Sequence, residues 1–208
     1  MKTLHYVAAA LLGLSLTGCV SFNPAGPIGD PSQKASTPRQ QAVMVDQVVV
    51  SDSSIDAEVR KNLGSQFTAQ LNRRIERGEY FREVISFPAT LGEQDALLKL
   101  EFSSLKGKRT PHPGYFPGAI LTLTGWIWFN GPIYVDKYDL TGTLVFEDAH
   151  GKTLASSQKT LQLKQNTGLW DDDYFNLALG ATQLNELVEE LLQDSLQQLP
   201  SPPQGSAQ

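Results

Sequence analysis

Cys19 is the only cysteine in 208 residues, and it closes the apolar run that opens the chain. With one thiol there is no disulfide framework, so whatever fold forms must be held by packing. Lys2 supplies a positive start, Leu4 to Leu16 is mainly apolar around Gly13 and Ser15, and Thr17-Gly18 places small residues before the cysteine. This three-part pattern is a secretory signal and is set aside from fold reasoning. Its apolar core is shorter than the ~20 residues of a spanning helix.

Leu16-Thr17-Gly18-Cys19 resembles the bacterial lipobox, a resemblance confined to residues 1–19. It implies that residues 1–18 are cleaved as a signal peptide, that the Cys19 thiol carries a diacylglycerol, and that the new amino terminus is N-acylated. No other cofactor is expected. Several buried acyl chains, at ~0.8 kcal/mol per CH₂, anchor stably where one does not. The alternative is an ordinary signal peptide with an incidental cysteine. Val20, rather than Asp, follows the cysteine. By resemblance to enterobacterial sorting, that implies the periplasmic face of the outer membrane.

The formal net charge of −5 and pI of about 5.2 argue against a nucleic-acid partner, which favours a basic surface. Length and a hydrophobic content of 40% fit one domain with a real core.

Residues 19–41 are rich in Pro, Gly and Ser and read as the lipidated cysteine followed by a flexible tether. The domain is expected over 42–199, with a disordered tail at 200–208. Val43 to Val50 reads as a buried strand, and Ser53 with Asp56 resembles a capping box for a helix over 55–77. Ile55, Val59, Leu63, Phe67, Leu71 and Ile75 recur every four residues, so their stripe drifts around that helix. Gly78 is its expected stop. Tyr80 to Phe87 reads as a strand, Leu97 to Leu105 alternates as a half-buried strand, and 138–163 reads as a hairpin turning at Asp148-Ala149-His150-Gly151. A last helix is expected over 172–198, with Asp171, Asp172 and Asp173 at its positive end. The fold class is therefore α+β: a single mixed or antiparallel sheet with two helices packed on one face. Leu71 to Phe87, a helix ending in Gly-x-Tyr-Phe before an apolar strand, resembles a segment of many envelope lipoproteins. Over 43–105 the pattern is similar to the Tol-system periplasmic domain and the curli-secretion lipoprotein.

Tyr115 to Tyr134 contains no charge and two of the three tryptophans. Three readings stay open. It is a central buried strand with a loop over the core, since buried strands have this composition. It is a contact surface for an envelope partner or a second copy, because large exposed apolar patches mark such sites. Or it touches the bilayer, where Trp and Tyr favour the interface. The candidate contact residues are Tyr115, Phe116, Trp126, Trp128 and Phe129. A pore-forming hairpin needs a second alternating strand, and Ile133 to Phe146 carries Asp136, Lys137 and Asp139, with Glu147 next to it.

Residues 19–208 hold two histidines, His112 and His150, far apart in loop-like contexts. The sequence has no metal-ligand spacing, nucleophile elbow, phosphate loop or dinucleotide fingerprint. The three aspartates lack the spaced ligands of a calcium loop. Arg73 and Arg74 read as a solvated helix face. No catalytic or metal residue is therefore expected. The expected function is a non-catalytic accessory, assembly or envelope-maintenance lipoprotein. The alternatives are a lipid- or lipopolysaccharide-handling lipoprotein, and an oligomeric secretion-type lipoprotein with a membrane-touching hairpin.

Overall fold

The computed structural model describes residues 19–86, 89–175 and 178–200. The expected signal peptide and most of the expected tail lie outside these residues. The elements are β1 (Val20–Phe22), β2 (Val43–Val45), β3 (Val49–Val50), α1 (Ala57–Gly78), β4 (Val84–Ile85), β5 (Ala96–Pro111), α2 (Tyr115–Leu121), α3 (Gly125–Trp128), β6 (Tyr134–Glu147), β7 (Thr153–Thr167), α4 (Asp172–Phe175) and α5 (Ala181–Gln198). One seven-stranded sheet has the order β4-β2-β5-β6-β7, with β1 and β3 also paired to β5. It is mixed: β2 and β3 run parallel to β5, and β1 runs antiparallel to it. The expected α+β class is what forms, with α1 and α5 packed against the sheet.

The chain clusters into two compact units. In their described residues, the larger comprises 23–106, 139–162 and 178–200, and the smaller 19–22, 107–138 and 163–175.

The larger unit carries both long helices. Asp56 caps α1 by accepting the Glu58 N–H at 2.8 Å, in place of the expected Ser53 box. Leu63, Phe67, Leu71 and Ile75 are buried, while drift of the four-residue stripe leaves Val59 exposed. Leu98, Leu100 and Phe102 face the helices from β5, and the Phe67 and Phe102 rings meet edge-on at 5.2 Å. Leu184, Leu187, Val188, Leu191 and Leu192 form the buried stripe of α5. That helix approaches β6 over Gly142, where a Cβ would stand 2.9 Å from Leu191.

Several boundaries differ from expectation for visible reasons. The strand over 43–50 is two pieces because Val48 turns to α1: its N–H reaches the Thr68 hydroxyl at 2.8 Å. A Cβ at Gly64 would stand 2.6 Å from the Val48 carbonyl oxygen, so the backbones meet where glycine leaves room. Of the strand expected over 80–87, the described residues 80–86 hold only β4 and a single bridge between Arg39 and Phe81, and Phe87 lies outside the described residues. The last helix is broken, and α5 begins only after Gly180, whose φ of 79° admits a turn that L side chains resist.

Residues 23–41 are not the free spacer expected of their composition. Ile28 is fully buried, and its N–H donates to Gln70 Oε1 at 2.7 Å. The Ala35 N–H donates to the Gly78 carbonyl at 2.8 Å, and Arg39 donates to the Leu196 carbonyl at 2.6 Å. The expected solvated face at Arg73 and Arg74 is half wrong as well. Arg73 is exposed, but Arg74 is fully buried and donates to the Ile28 carbonyl, Asn185 Oδ1 and Glu189 Oε2.

Two carboxylates make this unit acid-sensitive. Burial would raise the Glu189 pKa, but hydrogen bonds from Ser32, Arg74 and Gln193 outweigh it and hold the group below the ordinary value. Asp52 is likewise depressed: burial opposes ionisation, and bonds from Ser54 and the Leu105 N–H overcome that opposition. Groups depressed on folding add stability above their unfolded values of about 3.9 for Asp and 4.3 for Glu, and that stability is lost as pH falls through the folded values. Urea midpoints measured downward from pH 6 are expected to hold until about pH 5 and then fall steeply. Glu189→Gln is expected to be less stable at pH 6 and to flatten the acid limb.

Candidate contact surface

Cys19 belongs to the smaller unit and is exposed. β1 follows without a gap and lies antiparallel on β5, with Val20 opposite Arg109, Ser21 opposite Lys108 and Phe22 opposite Gly107. The missing side chain at Gly107 is what admits the Phe22 ring, which meets the Tyr138 ring edge-on at 5.9 Å.

A buried charge pair organises this unit. Asp136 on β6 is fully buried and takes two parallel bonds from Arg109 on β5, each 2.7 Å. The Thr167 hydroxyl on β7 donates to the same carboxylate at 2.6 Å. Arg109 also donates to the Asp173 carbonyl at 2.9 Å and lies 5.0 Å from the centre of the Tyr134 ring. The hydrogen bond to Asp136 raises the Arg109 pKa against the opposing effect of burial. The Tyr138 hydroxyl is buried without a hydrogen-bond partner, and burial, followed by the Asp136 charge, pushes its pKa up strongly. Both charges of the pair are matched to each other inside the unit.

Between β5 and β6 the chain forms a pair of short helices, α2 and α3, rather than a central strand. The turn joining them puts Leu123 at φ 49° and Thr124 at φ 73°, and Asn130 at φ 54° ends α3. Trp126 is half-buried and packs across the segment. Cβ atoms on Gly118 or Gly131 would collide with its indole ring, and its Nε1 donates to the Pro132 carbonyl at 3.2 Å. Asn130 donates to Asp171 at 2.9 Å and accepts the Trp170 N–H at 2.9 Å, which ties this segment to the turn before α4.

Leu121 is 83% exposed, Leu123 88%, Trp128 69% and Phe129 89%. Ile120, Trp170 and Phe175 are also exposed, with the Trp128 and Trp170 rings 6.2 Å apart. Of the exposed large apolar side chains among the described residues, all but Val49 and Val59 lie in this unit. The unit also holds a cleft of about 450 Å³ lined by Val20, Arg109, Tyr115, Phe116, Tyr134 and Tyr174 among others. Burial raises the Tyr174 pKa.

The five expected contact residues divide. Trp128 and Phe129 are surface residues, Tyr115 and Phe116 line the cleft with their rings 5.2 Å apart, and Trp126 is structural. Ile120, Leu121, Leu123, Trp170 and Phe175 were missed. Ile120, Leu121 and Leu123 lie within the charge-free segment 115–134, and Trp170 is the third tryptophan. His112 accepts the Gly114 N–H through Nδ1 at 3.1 Å, and His150 is exposed in the β6–β7 turn. Asp171 does not lie at the start of the last helix, which begins after Gly180; its carboxylate accepts from Asn130 and from the Gly168 N–H at 2.7 Å. Among the described residues, no group of three or more His, Cys, Asp or Glu could hold a metal ion, and no helix is long and apolar enough to cross a membrane.

The two tryptophans should behave oppositely. Trp126→Ser is expected to cost more than about 1 kcal/mol, as a half-buried ring packed on Gly118 and Gly131 is lost. Trp128→Ser is expected to stay within about 0.5 kcal/mol. Thermal or urea unfolding of the two variants checks this.

No family model matches the chain, and no curated protein matches it. Among solved structures, a homolog of the neuraminyllactose-binding hemagglutinin from Helicobacter pylori matches at 11% identity and a TM-score of 0.43, covering 84% of this chain and 91% of that one. A DUF330 protein from Xanthomonas campestris matches at 10% and 0.45, covering 82% and 94%. A lipoprotein from Neisseria meningitidis matches at 11% and 0.37, covering 72% and 96%. Likeness at this level assigns no ligand and no residue role.

Proposed function

We propose that this chain is a non-catalytic lipoprotein of the bacterial envelope, held on the periplasmic face of the outer membrane by acyl chains on Cys19. It serves as an accessory, assembly or maintenance subunit. The observation that supports this reading is that the candidate anchor and the exposed aromatic surface belong to one compact unit. Cys19→Ala is expected to move the protein from the membrane fraction to the soluble periplasmic fraction. If the variant stays membrane-bound with its signal cleaved elsewhere, the reading fails.

The tyrosine-lined cleft favours a second reading, in which the chain handles lipid. Concave sites lined by aromatic rings with a few polar groups suit small ligands. Native mass spectrometry after gentle extraction is expected to show retained phospholipid or lipopolysaccharide if this is so, and bare protein if it is not.

A further inference from the structure

We infer that the α2–α3 hairpin inserts into the interfacial layer of the same leaflet that holds the Cys19 acyl chains, with Leu121, Leu123, Trp128 and Phe129 as the inserted side chains. The inference deepens the anchored-lipoprotein reading and rests on it.

Three observations select lipid over a protein partner or a second copy. The first is the position of Cys19 next to β1. Cys19 leads straight into β1, which is hydrogen-bonded to β5 within the smaller unit, so the acyl chains are attached to the unit that carries the hairpin. The second is charge. Residues 113–135 contain no charged side chain, and the acidic Asp136 that follows is buried in its ion pair. Protein interfaces generally ring an apolar centre with polar groups. The hairpin itself is charge-free with Trp and Phe at its surface, a composition suited to the bilayer interface, and the nearby Asp171 is bonded to Asn130.

The third observation is the hairpin's internal satisfaction. In lipid, backbone groups must find partners within the segment itself. The N–H groups of Thr122, Leu123, Thr124, Gly125, Ile127, Phe129, Asn130 and Gly131 all donate to carbonyls between Gly118 and Ile127. The Trp126 N–H is taken by the Thr122 hydroxyl at 2.7 Å, and that hydroxyl donates to the Gly118 carbonyl at 2.8 Å. Most of the N–H groups at the tip thus find their partners within the segment. Two short helices of this kind lie in an interface and do not cross it.

The test uses the full acylated protein reconstituted in phosphatidylethanolamine/phosphatidylglycerol vesicles, with and without bromine on the lipid acyl chains. Tryptophan emission is expected to be blue-shifted and quenched by the brominated chains, and Trp128→Phe is expected to remove much of that quenching. Leu121→Lys with Leu123→Lys changes exposed positions, so its circular dichroism is expected to match the parent. It should stay on the vesicles through Cys19 while losing both the shift and the quenching. Unquenched emission in the parent, or quenching unchanged by the lysines, overturns the inference. Cross-linked dimers with Trp128 shielded from bromine overturn it in favour of a second copy. Failure of the anchor reading looks different: intact mass shows no acyl chains on Cys19. Insertion is then still read by quenching of the chain added to the same vesicles.

Discussion

Asp136→Ala is expected to lower stability by about 3–5 kcal/mol, the usual consequence of removing one partner of a buried ion pair. The loss is large because the carboxylate serves three groups at once. It takes both bonds of the Arg109 fork and the Thr167 hydroxyl, and it has no exposure to water. Without it, the guanidinium keeps only the Asp173 carbonyl and the face of the Tyr134 ring. Its side chain is 11% exposed, so solvent offers little replacement. Asp136→Asn retains one acceptor and is expected to lose less. Urea unfolding followed by circular dichroism measures both. A cost under about 1 kcal/mol for the alanine variant would show the pair to be peripheral.

The comparable effect in the larger unit comes from Glu189→Ala. Arg74 is fully buried and its charge is answered by Glu189, with Asn185 and the Ile28 carbonyl as neutral acceptors. Leaving that cation unanswered is expected to cost about 3–5 kcal/mol. The double change Arg74→Met with Glu189→Leu is expected to recover part of the loss, because apolar groups of similar volume often replace a buried pair at little cost. A double-mutant cycle separates the pair's coupling from the burial of its methylenes. The Ile28 carbonyl loses its cation partner in the double variant, so recovery is expected to be incomplete.

The two ion pairs also mark where reading the chain without its fold stopped. Helix α1 and the alternation of β5 were legible because their periodicities are local. Leu98, Leu100 and Phe102 report a half-buried strand whatever lies elsewhere. The burial of Arg74 was not legible, since it depends on Glu189 more than a hundred positions away. Asp136 counted only as an obstacle to a membrane strand, yet it is the centre of a core. Ala119 to Phe129 failed for another reason: a short apolar run has the same composition as strand or helix. What decides it is Trp126 filling the space left by Gly118 and Gly131, together with positive φ at Leu123 and Thr124. The same limit applied to residues 23–41, whose composition is that of a coil although Ile28 is a core residue.

The docking of β1 sets how this molecule meets its surroundings. A free coil over residues 20–41 would swing its cargo through a root-mean-square reach of roughly 25 Å. Here the chain is stitched to β5 from Val20 onward, so the smaller unit has almost no leash. Under the proposed acylation of Cys19, the unit would be held at one height with one side to its bilayer, and whatever binds it would have to come to the membrane surface.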